Sequence, residues 1–186
     1  MKTLTCLICL LLSVLTSPAA DFDLGTRGTL SVGVPEDWTV NGKAVNDPDG
    51  TPIGYAFAFK PRSEAHAKCL LTFGYTTNGA PNKDDIQEKV LRATEQFVPG
   101  SVEKKQNLKD FSPGTGCGFY CLFTDASLVG KAAKPDDYKV MGSGVVQPGD
   151  NMVGVVSLFA DEAEGVEMKA MLKIISSLEI KPGKTK

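Results

Sequence analysis

The densest apolar patterning lies between residues 138 and 159, where two runs, 138–146 and 152–159, flank Gln147-Pro148-Gly149-Asp150. Proline presets φ for the first central position of a turn, and glycine supplies the positive φ needed at the second. The segment therefore predicts an antiparallel hairpin closed by a type II turn. On its second strand Val153, Val155 and Phe159 point one way while Met152, Val156 and Leu158 point the other. A strand that is apolar on both faces must be covered on both. With two other stretches at helical spacing, the expected architecture is α+β: an antiparallel sheet flanked by helices on both faces.

The remaining pattern fills in that sheet. Leu30, Val32 and Val34 alternate with polar or small residues before Pro35, the period of a half-buried strand. Tyr55, Phe57 and Phe59 alternate with Ala56 and Ala58, whose small side chains make room for a helix on the reverse face. Cys69, Leu71, Phe73 and Tyr75 share one face of a strand over 68–75. Asn82 then caps a helix carrying Asp84 and Asp85 in its first turn, with Ile86, Val90, Ala93 and Phe97 at helical spacing until Pro99-Gly100 stops it. The polar segment 102–108 reads as a guarded edge strand, and 116–123 as the next strand, with Cys117, Phe119, Cys121 and Phe123 on one face against Tyr120 and Leu122. A final helix over about 166–178 sets Met168, Met171, Leu172, Ile175 and Leu178 on a broad stripe.

The first 20 residues change the picture of where the chain works. Lys2, an apolar run over 4–15 and the exit Ser17-Pro18-Ala19-Ala20 describe a secretory signal peptide, too short in its apolar part to span a bilayer. Cleavage is expected after Ala19 or Ala20, and the expected address is secreted or periplasmic. The boundaries that follow are a signal peptide over 1–20, one α+β domain over 21–180 and a basic tail over 181–186, with no integral membrane span in the mature chain. The 186 residues carry 20 basic and 22 acidic side chains; removing the signal takes one lysine away and leaves 166 residues at a net charge of −3. That length buries roughly 70% of the unfolded surface as one domain. So mild and evenly spread a charge argues against nucleic acid as the partner.

Candidate chemistry is sparse. His66, Cys69, Cys117 and Cys121 form the ligand set of a structural zinc site. Along a strand, however, Cys117 and Cys121 stand about 13 Å apart, whereas sulfurs sharing one zinc lie roughly 3.8 Å apart. The same separation forbids a disulfide between them. Cys69 could bridge to Cys117 or to Cys121 across paired strands, leaving one thiol over, or all three could be small buried hydrophobes. The one histidine, His66, sits in a stretch over 62–68 that reads as an exposed turn, so a nucleophile finds no base beside it. Gly142-Ser143-Gly144 lacks the flanking pattern of a nucleophile elbow. The glycines of Gly114-Thr115-Gly116-Cys117-Gly118 precede a strand, where phosphate loops precede a helix. No catalytic, metal or cofactor site is expected.

The order of elements, with Leu30-Ser31-Val32-Gly33-Val34-Pro35-Glu36-Asp37-Trp38 at the front and Ile174-Ile175-Ser176-Ser177-Leu178 at the close, resembles the Mog1/PsbP-like fold, in particular its secreted or periplasmic bacterial members. The resemblance implies an α/β/α sandwich and a non-enzymatic domain that docks onto other proteins. Three functional expectations stand. The first is an interaction domain for another envelope or secreted protein, its surface formed by Trp38 with Leu128, Val129, Lys131 and Lys134 on the long 126–136 connection. The alternative is a carrier for a lipid or other apolar molecule, with a pocket between sheet and helix lined by Tyr55, Phe57 and Phe59. A hydrolase built on His66 stands third.

Overall fold

The computed structural model describes residues 19–76, 79, 81–111, 113–114, 116–132, 134–149 and 152–181. Most of the expected signal peptide and the tail beyond Lys181 lie outside the described residues. The strands are β1 Ala19–Asp23, β2 Thr29–Gly33, β3 Trp38–Asn46, β4 Pro52–Pro61, β5 Lys68–Tyr75, β6 Lys109–Asp110, β7 Cys117–Thr124, β8 Val140–Gly149, β9 Met152–Ala160 and β10 Glu179–Lys181; the α-helices are α1 Lys83–Thr94 and α2 Val166–Ser176. Seven strands form one sheet in the order β3-β4-β5-β9-β8-β7-β6, and β1-β2-β10 form a second, with every pairing antiparallel. Among the described residues no helix is long and apolar enough to cross a membrane.

The expected sandwich of one sheet between helix layers is thereby corrected. Strands dominate the chain, and the two helices are only 12 and 11 residues long. On one face of the large sheet the cover is shared between α2 and the small sheet. Met168, Met171, Ile174 and Ile175 join Leu30 and Val32 over Phe59, Leu71, Val156 and Leu158, all but sealed from solvent. On the other face α1 packs on β7 and β8, where Ile86 and Val90 meet Phe119, Cys121, Phe123 and Val145. The alternation along β7 serves both sides, because Tyr120 and Leu122 belong to the first cluster. Among the described residues no helix lies where Ala56 and Ala58 were expected to make room for one: α1 sits over β7 and β8 instead, and on the same outer face Thr72 and Val155 are exposed.

Local chemistry explains the helix ends. The Asp85 backbone N–H donates to the Asn82 side chain at 2.9 Å while the Asn82 N–H donates to the Asp85 carboxylate at 3.1 Å, a reciprocal capping box. At the far end of α2, the Gly33 N–H donates to Ser177 Oγ at 2.8 Å and the Ser177 hydroxyl donates to the Ile174 carbonyl at 2.6 Å, tying the helix to β2.

Three further expectations shift. The β8–β9 hairpin runs through Pro148 and Gly149, with Gly149 opposite Met152 and the register broken between Val146 and Gly149. The proline therefore sits at an irregularity of the ladder, where its missing N–H is tolerated, and residues 150 and 151 lie outside the described residues. The polar 102–108 segment is not a strand. Its place at the sheet's edge is taken by the two-residue β6, and Glu103 instead clasps the end of β7 by its side chain. Strands β1, β3 and β10 are additions, β1 beginning at Ala19 within the expected signal segment.

Candidate functional site

The longest connection, 125–139, leaves the end of β7 and returns to the start of β8 as a loop closed at its base: the Asp125 N–H donates to the Lys139 carbonyl at 2.8 Å. Compact loops with adjoining ends are frequently functional. The Asp125 carboxylate accepts the Ser127 N–H at 2.7 Å and so caps a single 3-10 turn, Ala126–Leu128. Ser127, through its hydroxyl and its backbone, holds the Asp125 carboxyl below the usual carboxylate range. The base is fastened to the segment after α1 as well. The Ala126 N–H donates to Gly100 and the Val102 N–H donates to Thr124, at 3.0 and 2.8 Å. The return limb turns tightly over Lys134, Pro135, Asp136 and Asp137, with the Asp137 N–H donating to Lys134 at 3.1 Å and Asp136 at φ 66°. Glycine is the usual residue at that position, and an aspartate there costs on the order of 1 kcal/mol.

Between this loop and the chain leaving α1 lies a cavity of about 400 Å³. Its walls are aromatic: Phe97 and Phe123 stand 5.7 Å apart and Tyr138 and Phe159 5.3 Å apart, ring centre to ring centre. Asp125, Asp136 and Asp137 also line it, against Lys139 as the one positive side chain among the described lining residues. Among the described residues the Asp136 and Asp137 side chains make no hydrogen bond or ion pair. Burial pushes the Tyr138 hydroxyl up from its ordinary pKa, with the charges of Asp136 and Asp161 adding to it.

Behind Tyr138 stands His66, half-buried rather than in an exposed turn. Its ring stacks on Tyr138 at 4.2 Å and 11°, and its Nδ1 lies 3.1 and 3.2 Å from the two Asp161 carboxylate oxygens. A carboxylate only accepts, so the proton sits on Nδ1. Among the described residues Nε2 is buried without a partner, so the pair has no described hydroxyl or thiol to activate. It joins the ends of β5, β8 and β9. Proximity in the chain could not have suggested it, because His66 and Asp161 are 95 residues apart.

The loop residues singled out from the sequence come together. Leu128 lines the cavity, Val129 is 60% exposed beside the loop's Gly130 turn, and Lys131 and Lys134 are exposed on the same loop. Trp38 does not join them: at 3% exposure it is a lid on the first core cluster, held on the opposite face of the sheet, and is withdrawn from the contact surface. Phe57 and Phe59 are likewise core, and Tyr55 packs against them half-buried, so the expected carrier pocket is not where the cavity lies.

The possible disulfide from Cys69 to Cys117 or Cys121, one of two readings left open, is not formed. All three described cysteines are free. Cys69 on β5 is separated from β7 by two intervening strands, three spacings amounting to about 14 Å, beyond the reach of any bridge. It also faces the first core cluster while Cys117 and Cys121 face the second, which takes the proposed zinc ligands apart. No protein-family profile matches the chain, and no curated protein is similar to it.

Proposed function

We propose that this chain is a secreted or periplasmic, non-enzymatic domain that docks onto another envelope or secreted protein through its 125–139 loop. The observation that carries this reading is the loop itself, fastened at its base by backbone hydrogen bonds and presenting the exposed Val129 beside Lys131 and Lys134. An apolar side chain held out on an anchored loop is ready to contact a partner without an ordering cost. A His66–Asp161 pair with no nucleophile beside it among the described residues favours a structural role for that histidine.

The test places a photo-crosslinking amino acid at position 129, and separately at Val166, 78% exposed at the start of α2, in the protein produced in its own organism. One discrete protein adduct from position 129 and none of that mass from position 166 supports the reading. Equal adducts from both positions, or none from 129, overturn it.

A further inference from the structure

We propose that the cavity beneath the loop is a receptor for an arginine side chain of the docking partner, an inference that rests on the interaction reading and names the chemistry of its partner. The cavity is of the size that a side chain with its flanking backbone fills. Phe97, Phe123, Tyr138 and Phe159 line it with aromatic rings, His66 covering one side of Tyr138 and Lys68 standing 5.6 Å over Phe159, and the described lining carries two negative charges in excess, three aspartates against Lys139. An anion would meet that excess charge, and a wholly apolar group would leave Asp136 and Asp137 facing it unpaired. A cation on an apolar stem meets both halves of the lining. Arginine suits it better than lysine: the guanidinium is planar, stacks on ring faces, is more weakly hydrated than an ammonium and forks onto carboxylates.

The occupant is thus a basic segment of a partner protein rather than a free metabolite, because the exposed Val129 and the cavity belong to one continuous loop surface. The strained φ of Asp136 places a carboxylate at a turn position where glycine would be easier.

The test titrates the mature protein with acetyl-arginine amide and with its neutral isostere acetyl-citrulline amide, following backbone amide signals by NMR. Expected are saturable shifts at Leu128, Tyr138 and Met141 with the arginine compound, weaker by about tenfold or more with citrulline, and lost in Asp136→Asn/Asp137→Asn. Those two residues are exposed, and the same spectra report whether the variant is folded; Phe97→Leu, which keeps both charges but removes a ring, should weaken binding severalfold. Equal binding of both compounds, shifts confined to residues that do not line the cavity, an undiminished response in the double variant or no saturable binding would overturn the proposal. A position-129 adduct without arginine binding removes this inference alone. Arginine binding without an adduct removes the docking surface and leaves a free guanidinium site, which contradicts the partner named here.

Discussion

Glu103 offers the most direct check on how the site is held. Its two carboxylate oxygens take the Thr124 backbone N–H at 2.9 and 3.1 Å, and one takes the Thr124 hydroxyl at 2.8 Å. Thr124 is the last residue of β7 and part of the cavity wall, so this clasp sets the lip of the site. Hydrogen bonds to a charged acceptor contribute about 1.5–3 kcal/mol net; for three partly solvated ones that share an acceptor, Glu103→Ala should cost about 2 kcal/mol and Glu103→Gln about 1 kcal/mol. In a domain of this size each kcal/mol lowers Tm by about 2–4 °C. Burial pushes the Glu103 carboxyl up, but the Thr124 hydrogen bonds and their neighbours outweigh it and hold it below its ordinary value of 4.5. A carboxyl depressed in the folded state stabilises fully above its unfolded pKa, and that contribution is lost as pH falls through the folded pKa. Urea unfolding of the native sequence and Glu103→Gln should therefore differ at about pH 7 and converge towards about pH 2.5. A difference that persists unchanged at the acid end, or no difference at neutral pH, would refute the clasp.

Other outcomes are expected elsewhere in the fold. Met171→Ala should cost about 2–5 kcal/mol in chemical denaturation, because the side chain is fully enclosed in the first core cluster. Gly116→Ala should cost about 2 kcal/mol or more, since φ is +92° there and a methyl would lie 1.9 Å from the Gln147 carbonyl; a neutral result would show that β7 and β8 are not in this register. Burial raises the thiol pKa of Cys69, Cys121 and Cys117, so Ellman's reagent at neutral pH should modify the half-buried Cys117 first and the other two only on denaturation. Rapid modification of Cys69 in the native protein would contradict its position in the core.

Strands with a strong pattern of their own were legible in advance. Residues 68–75, 116–123 and 152–159 carry apolar side chains on one face or on both, and their alternation is a local consequence of burial. The capping box at Asn82 and Asp85 and the stripe on α2 are local in the same way. Strand β3 was not legible, because its mostly exposed residues form an edge that pairs only with β4. Strands β1 and β10 are short, and β10 takes its partner β2 from the far end of the chain. The polar 102–108 stretch looked like an edge strand because charge marks both edges and side-chain clasps.

For the site, composition and length pointed to the connection before β8 as the surface of interest, but nothing along the chain showed the cavity beneath it. Phe97, Phe123, Tyr138 and Phe159 come from four separate segments, and each one alone reads as ordinary core. What this sequence determined by itself is the list of buried faces and helix ends, since side-chain periodicity and capping act over a few residues. Only the tertiary structure decided which faces meet: Cys69 on the far side of the sheet from Cys121, His66 against Asp161, and aromatic walls around aspartates. Strand order and loop closure depend on the packing of the whole chain, and no short window of residues contains them.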